Sequence, residues 1–137
     1  MIGEYKLSRV KNGIGYFARV VVEASLFSEK EFVIDAIGHQ VNRNECEVNA
    51  ETHKDWIDAA IEGANYTLKH IKQLDEIKKY DVKIIKVIGL ETDTTEDAVR
   101  TAACIATWRA VNLNYPEPEP VFDKNWDVVF PAINQHI

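Results

Sequence analysis

The run Gly15-Tyr16-Phe17-Ala18-Arg19-Val20-Val21-Val22-Glu23-Ala24-Ser25 alternates in character and is rich in β-branched residues. Tyr16, Ala18, Val20, Val22 and Ala24 fall on one face, and Phe17, Arg19, Val21 and Glu23 on the other. That is the period-two pattern of a half-buried strand. Asn12-Gly13 just before it is a turn signal. Glu31 to Ile37 reads as a second strand with Phe32, Ile34 and Ala36 on one side, and a hairpin through Leu26–Lys30 is expected to join the two. Residues 38–51, with Gly38, Asn42, Asn44 and Asn49, leave a further strand open.

Beyond them, Trp56, Ile57, Ala60, Ile61, Ala64, Leu68 and Ile71 recur at spacings of three and four, so a helix is expected from Thr52 to about Leu74. Thr52 followed by Asp55 resembles a capping box with Asp in place of Glu. Tyr80 to Leu90 reads as a mostly buried strand through Val82, Ile84, Ile85, Val87 and Ile88. A second helix is expected from about Thr95 to Val111, capped by Thr94 with Asp97 three later. Its stripe of Ala98, Ala102, Ile105 and Ala106, with Val99, is small enough for a close helix neighbour. The order β-β-(β)-α-β-α predicts a two-layer α+β fold, a mixed sheet with two helices on one face.

Tyr115-Pro116-Glu117-Pro118-Glu119-Pro120 is incompatible with helix and favours an extended, stiff segment. It divides residues 1–113, the expected domain, from a tail over 114–137. Trp126, Val128 and Phe130 alternate there, with Val121, Phe122 and Val129 adding apolar surface. Such a tail is expected to dock on its own chain or a dimer mate, as an edge strand or across the sheet, where it could cover Phe17 and Val21.

The 137 residues, 15.6 kDa, suit one domain with a real core. Hydrophobic residues are 46% and charged residues 28%, which excludes a disordered chain. No apolar run approaches the roughly 20 residues of a spanning helix, and the N-terminus has no apolar signal core. Two cysteines, Cys46 and Cys104, make no disulfide framework, so a reduced, cytoplasmic setting is expected. The net charge of -6 argues against nonspecific nucleic-acid binding. Only residues 69–86 are basic, with six Lys against three acids.

Three stretches, in order, resemble domain IV of the translation elongation factor G family. Gly15-Tyr16-Phe17-Ala18-Arg19-Val20 is similar to the family's Gly-x-Tyr-Ala-x-Val strand opening. Trp56-Ile57-Asp58-Ala59-Ala60-Ile61-Glu62-Gly63 resembles its helix with an aromatic-Ile start and a Gly. Asp93-Thr94-Thr95-Glu96-Asp97-Ala98-Val99-Arg100-Thr101-Ala102-Ala103 is similar to Asp-Ser-Ser-Glu-x-Ala-Phe-x-x-Ala-Ala, with Thr for Ser. The resemblance implies the ribosomal protein S5 domain 2-like fold with a left-handed crossover, and a role at the ribosome through tip loops. Two features depart from it. Val87-Ile88-Gly89-Leu90-Glu91-Thr92-Asp93 lacks the family's Tyr-His pair, and the Pro-bearing segment before the first helix is missing. No family functional residue carries over. No Gly-x-x-x-x-Gly-Lys-Ser/Thr loop is present, so GTPase chemistry is excluded.

The candidate contact residues are Lys69, Lys72, Lys78, Lys79, Glu91, Asp93, Trp126 and Phe130. The lysines could face phosphates, yet Lys83 and Lys86, three apart on a strand, are expected on opposite faces, which would break any flat patch. Asp75, Glu76 and Asp81 also interrupt them. Glu91, Asp93, Glu96 and Asp97 could hold a hard cation, but at a helix start they read as capping and dipole-stabilising charges. His39, His53, His70 and His136 have no metal-ligand spacing, and Cys104 on a helix reads as a packed thiol. No catalytic set, metal or cofactor is expected. A noncatalytic binding module at the ribosome or another RNA–protein assembly is expected. The alternative is an acidic module that binds a basic protein or homodimerises; neither reading involves a membrane.

Overall fold

A computed structural model describes residues 1–11, 13–26, 32–37, 47–74, 80–90, 92–111 and 117–130. Among the described residues nine elements follow one another: β1 (Ile2–Lys11), β2 (Ile14–Leu26), β3 (Phe32–Asp35), β4 (Glu47–Val48), α1 (Lys54–Leu74), β5 (Tyr80–Gly89), α2 (Glu96–Val111), β6 (Val121–Phe122) and β7 (Val128–Val129). The main sheet runs β1-β2-β5-β3, and β4 pairs with the other end of β5. Both helices cover one face, α1 over β3 and β5, α2 over β1 and β2. The expected two-layer α+β class is the observed one.

Four strands precede α1 among the described residues, and Ile2–Lys11 is one that the periodicity did not reveal. It pairs with β2 from Ile2↔Glu23 to Lys11↔Ile14, with Gly13 in the turn between them. Gly13 has φ 80°, a conformation that suits glycine in a two-residue hairpin. The true hairpin partner of β2 is therefore β1. The expected hairpin between β2 and β3 is not made: β5 inserts between them, and β3 runs parallel to β5 from Phe32↔Asp81 to Asp35↔Ile84. The hairpin loop itself, 27–31, lies outside the described residues, as do residues 38–46, whose path the sequence left open.

The faces of β2 are as its alternation predicts, with Ala18, Val20, Val22 and Ala24 fully buried under the helices. α2 is buried nearly all round, held by α1, the sheet and the tail, so it lacks a polar stripe. Small residues permit this. A Cβ on Gly3 would land on the Ala106 carbonyl, and a Cβ on Gly63 would land on the Arg100 carbonyl.

Both expected caps are displaced. Thr52 closes a turn with Asn49, its hydroxyl donating to the Asn49 carbonyl at 3.1 Å. The Asn49 side chain accepts from the Glu51 and Thr52 amides, so this local Asx-turn outcompetes the cap. At α2 the cap is Thr95, whose hydroxyl accepts from the Ala98 amide at 3.1 Å. Thr94 instead donates to the Phe17 carbonyl and accepts from the Leu90 amide, tying β2 to the end of β5.

The tail is docked on its own chain. It forms a small antiparallel ribbon, β6 with β7, beside α2 on the helix-bearing side. Val128 is buried in the core, and Phe122 packs on Tyr16 at 6.0 Å between ring centres. The Tyr16 hydroxyl donates to Asp127 at 2.8 Å. Among the described residues the tail leaves Phe17 and Val21 uncovered, against expectation: its apolar residues find Tyr16 and Tyr66, which lie on the opposite side.

Candidate functional site

The open face of the sheet carries Glu4 and Lys6 from β1, Phe17, Arg19, Val21 and Glu23 from β2, Lys83, Lys86 and Ile88 from β5, and Phe32 and Ile34 from β3. Directly paired residues share a face, and Lys83 pairs with Glu23 while Lys86 pairs with Val21. The two lysines therefore lie on the same face, correcting the parity expectation. The cause is a β-bulge: the register slips between Val21 and Val22, leaving Ile85 as an extra residue in β5. One extra residue inverts the alternation beyond it.

Four cations thus lie along the face that carries Phe17, with Lys6 and Arg19 beside it and Lys86 and Lys83 further along the ladder. Lys6 stands over the Phe17 ring, its ammonium 5.7 Å from the centre. Arg19 pairs with Glu4, and Lys86 pairs with Glu47 at 3.0 Å. Lys83 has Glu23 directly across the ladder. Glu4, Lys6, Phe17, Arg19 and Ile88 line a shallow depression of about 350 Å³. Phe32 and Ile34, 40% and 39% exposed, extend the face toward β3. The surface combines apolar side chains with cations that each have a carboxylate or an aromatic partner.

A second concavity, about 600 Å³, lies along the outer edge of β1. Tyr5, Lys6 and Arg9 form one wall, and Glu117 to Pro120 with Phe122 and Trp126 form the other. Arg109 joins them: its guanidinium grips the Glu117 carboxylate at 2.9 and 2.8 Å, donates to the Glu4 carbonyl at 2.9 Å, and lies 4.9 Å from the centre of the Tyr5 ring. Burial raises the Tyr5 hydroxyl pKa, against the pull of Arg9 and Arg109.

Among the described residues the sequence candidates do not converge. Lys69 is exposed on α1; Lys72 lies in the last turns of α1. Lys78, Lys79 and Glu91 fall outside the described residues. Asp93 is half-buried, its carbonyl accepting from the Phe17 amide at 3.0 Å. Trp126 stacks on Phe122 at 4.0 Å with Lys11 5.3 Å from its ring centre. Phe130 meets Tyr66 edge-on at 5.0 Å. Both aromatics are spent largely on docking the tail. Glu96 and Asp97 attend Arg100, which also binds Glu62 at 2.7 Å and so bridges the helices.

Phe17 and Arg109 lie outside the runs of charge, whereas Lys83 and Lys86 belong to the basic run 69–86. The alternation of β2 already marked Phe17 as facing away from the core. The bulge that aligns the lysines has no sequence signal. Cys104 is buried, its thiol pushed up to about 12 by burial, with the Thr67 hydroxyl 3.1 Å from its sulfur. A thiol so held stays protonated and unreactive at neutral pH. Among the described residues no three His, Cys, Asp or Glu side chains gather closely enough to hold a metal ion, and no helix is long and apolar enough to cross a membrane.

No family's sequence profile matches the chain, and no curated protein matches it. Its architecture does recur in a crystal structure of a protein from Thermus thermophilus. The two superpose with a TM-score of 0.59 at 15% identity, over 79% of this chain and 15% of the other. At that identity the likeness is one of fold. The chain corresponds to a small part of the length of that protein.

Proposed function

We propose that this chain is a noncatalytic binding module that meets its partner through the open face of its sheet. The observation that carries the reading is the bulge at Ile85, which places Lys83 and Lys86 on one surface with Lys6, Arg19 and Phe17. Aromatic and basic side chains on an open sheet suit contact with an RNA–protein surface. The resemblance to elongation factor G domain IV, carried by residues 15–20, 56–63 and 93–103, supports a ribosome or similar assembly as that partner. The buried, protonated Cys104 supports the noncatalytic side of the reading.

A second reading has its own observation. Arg19, Lys83 and Lys86 each face a carboxylate, so the open face is nearly balanced, while the whole chain is at -6. A balanced, partly apolar face suits a protein contact better than bare phosphates. This is the acidic interaction module, with a basic protein or a second copy as partner. Tagged protein captured from its own cell extract at low and moderate salt separates the two. Ribosomal proteins with stoichiometric rRNA, lost as salt rises, support the first. A single protein without RNA overturns it in favour of the second.

A further inference from the structure

The edge of the sheet points to a contact different from its face. Among the described residues β1 is an edge strand of ten residues, pairing on one side only with β2. The two-residue turn makes Lys11 and Ile14 a hydrogen-bonded pair. Counting back by twos, Gly3, Tyr5, Leu7 and Arg9 also aim their backbone groups at β2. Ile2, Glu4, Lys6, Ser8 and Val10 aim theirs outward. Two side-chain contacts agree: Arg109 donates to the outward Glu4 carbonyl, and Arg9 to the outward Ser8 carbonyl at 3.1 Å. Among the described residues, the outward amides of Lys6, Ser8 and Val10 and the carbonyls of Lys6 and Val10 have no backbone partner. A long edge with unpaired groups is a template for another strand unless it is blocked.

The surroundings choose the occupant. Lys6, Arg9 and Lys11 lie along this stretch, and Arg109 stands at its start, in a chain whose total is -6. An acidic extended segment of the chain itself already lies against the neighbouring stretch: Glu117-Pro118-Glu119-Pro120 lines the same groove, with Glu117 in the fork of Arg109. Its prolines have no N–H to give a ladder, so it flanks the edge without pairing through them. A second copy of β1 is a poor fit, since antiparallel pairing about Ser8 would set Arg9 of one copy diagonally against Arg9 of the other and would put no carboxylate opposite Lys6, Arg9 or Lys11. Nucleic acid is also a poor fit, because phosphates answer the donors and leave the outward carbonyls unmatched.

We propose that the β1 edge from Lys6 to Val10 binds an acidic, extended peptide segment of a protein partner by strand addition, with Lys6, Arg9 and Lys11 reading its carboxylates. The probe is a capped ten-residue peptide repeating Glu-Glu-Val-Val, so that glutamates fall on both faces of the added strand and meet Lys6 on one and Arg9 and Lys11 on the other, with a Lys-Lys-Val-Val repeat as control, added to the whole isotope-labelled protein. The expected result is a shift of the Lys6, Ser8 and Val10 amide signals and at least tenfold slower exchange of those amides with the acidic peptide alone. Ser8→Pro removes one outward donor and leaves the β2 ladder intact, so it should abolish the effect while the protein stays folded by circular dichroism. Should that variant fail to fold, the double change Lys6→Glu and Arg9→Glu should weaken binding at least tenfold. Unchanged amides, equal binding of the lysine peptide, or slowed exchange on concentrating the protein alone would each overturn the proposal. The readout lies on edge amides, so it is separate from any loss of partner through the sheet face.

Discussion

Replacing Gly63 by Ala sets two effects of opposite sign against each other. In an isolated helix the change is favourable by about 1 kcal/mol, because Gly loses more backbone entropy on ordering. In this protein the new Cβ lands on the Arg100 backbone carbonyl and 3.1 Å from the Ala103 Cβ. A carbonyl in the middle of a helix cannot rotate away, so α2 must move as a unit. It has little room, since Gly3 holds its Ala106–Ala110 turn with equal closeness on the sheet side. Overpacking of a rigid contact costs about 3 kcal/mol at the upper end of its usual range. The net expectation is about 2 kcal/mol of destabilisation. That corresponds to a fall of roughly 8 °C in Tm for a domain of this size. Urea titration followed by circular dichroism should show a lower midpoint with an unchanged slope. Asn65→Ala, at an exposed site on the same helix, should be neutral or stabilising by about 0.5 kcal/mol. If Gly63→Ala raised the midpoint as Asn65→Ala does, the close packing of α1 on α2 would be refuted.

Three further outcomes follow from the same contacts. Thr95→Ala should cost about 1 kcal/mol, the usual loss of a helix cap, and Thr94→Ala should cost more, because it leaves the Leu90 amide and the Phe17 carbonyl without their shared hydroxyl; paired urea curves check the order. Burial raises the Cys104 pKa to about 12, so the folded state holds its proton where the unfolded chain has released it. Its contribution is complete below about pH 8.5 and declines above it, by up to about 1.4 kcal/mol per pH unit, until about pH 12; Cys104→Ala should flatten the decline between pH 8.5 and 10 in stability curves. Arg109→Ala breaks the Glu117 clamp, an exposed pair that contributes about 0.5 kcal/mol, so global stability should barely change while proteolysis near 117–120 quickens on a gel.

The helices and the two strong strands were legible because each shows one clean period. β1 was not, for a physical reason. Its core side is Gly3, Tyr5 and Leu7, and its solvent side includes Ile2 and Val10, 61% and 75% exposed. A glycine chosen for the approach of α2 reads as a break, and apolar residues on the outer face blur the alternation. The pairing of β3 was illegible because neighbouring strands in sequence suggest a hairpin, whereas α1 carries the chain back so that β5 lies between β2 and β3. The caps erred by one residue where Thr94 and Thr95 stand in tandem and only geometry tells which hydroxyl reaches the first turn. The candidate surface suffered most. The bulge at Ile85 is a backbone event with no composition signal, and it alone decides whether Lys83 and Lys86 act together. Trp126 and Phe130 were recognised as adhesive, and their adhesion is to Phe122, Lys11 and Tyr66 of the same chain.

The central claim is that the open sheet face is the contact surface. Side-chain footprinting of the captured complex against the free protein tests it most directly. The account predicts protection of Phe17, Phe32 and Ile34, with Trp56 and Tyr66 on the helix side unchanged. Protection of Trp56 and Tyr66, with Phe17 as reactive as in the free chain, would contradict it.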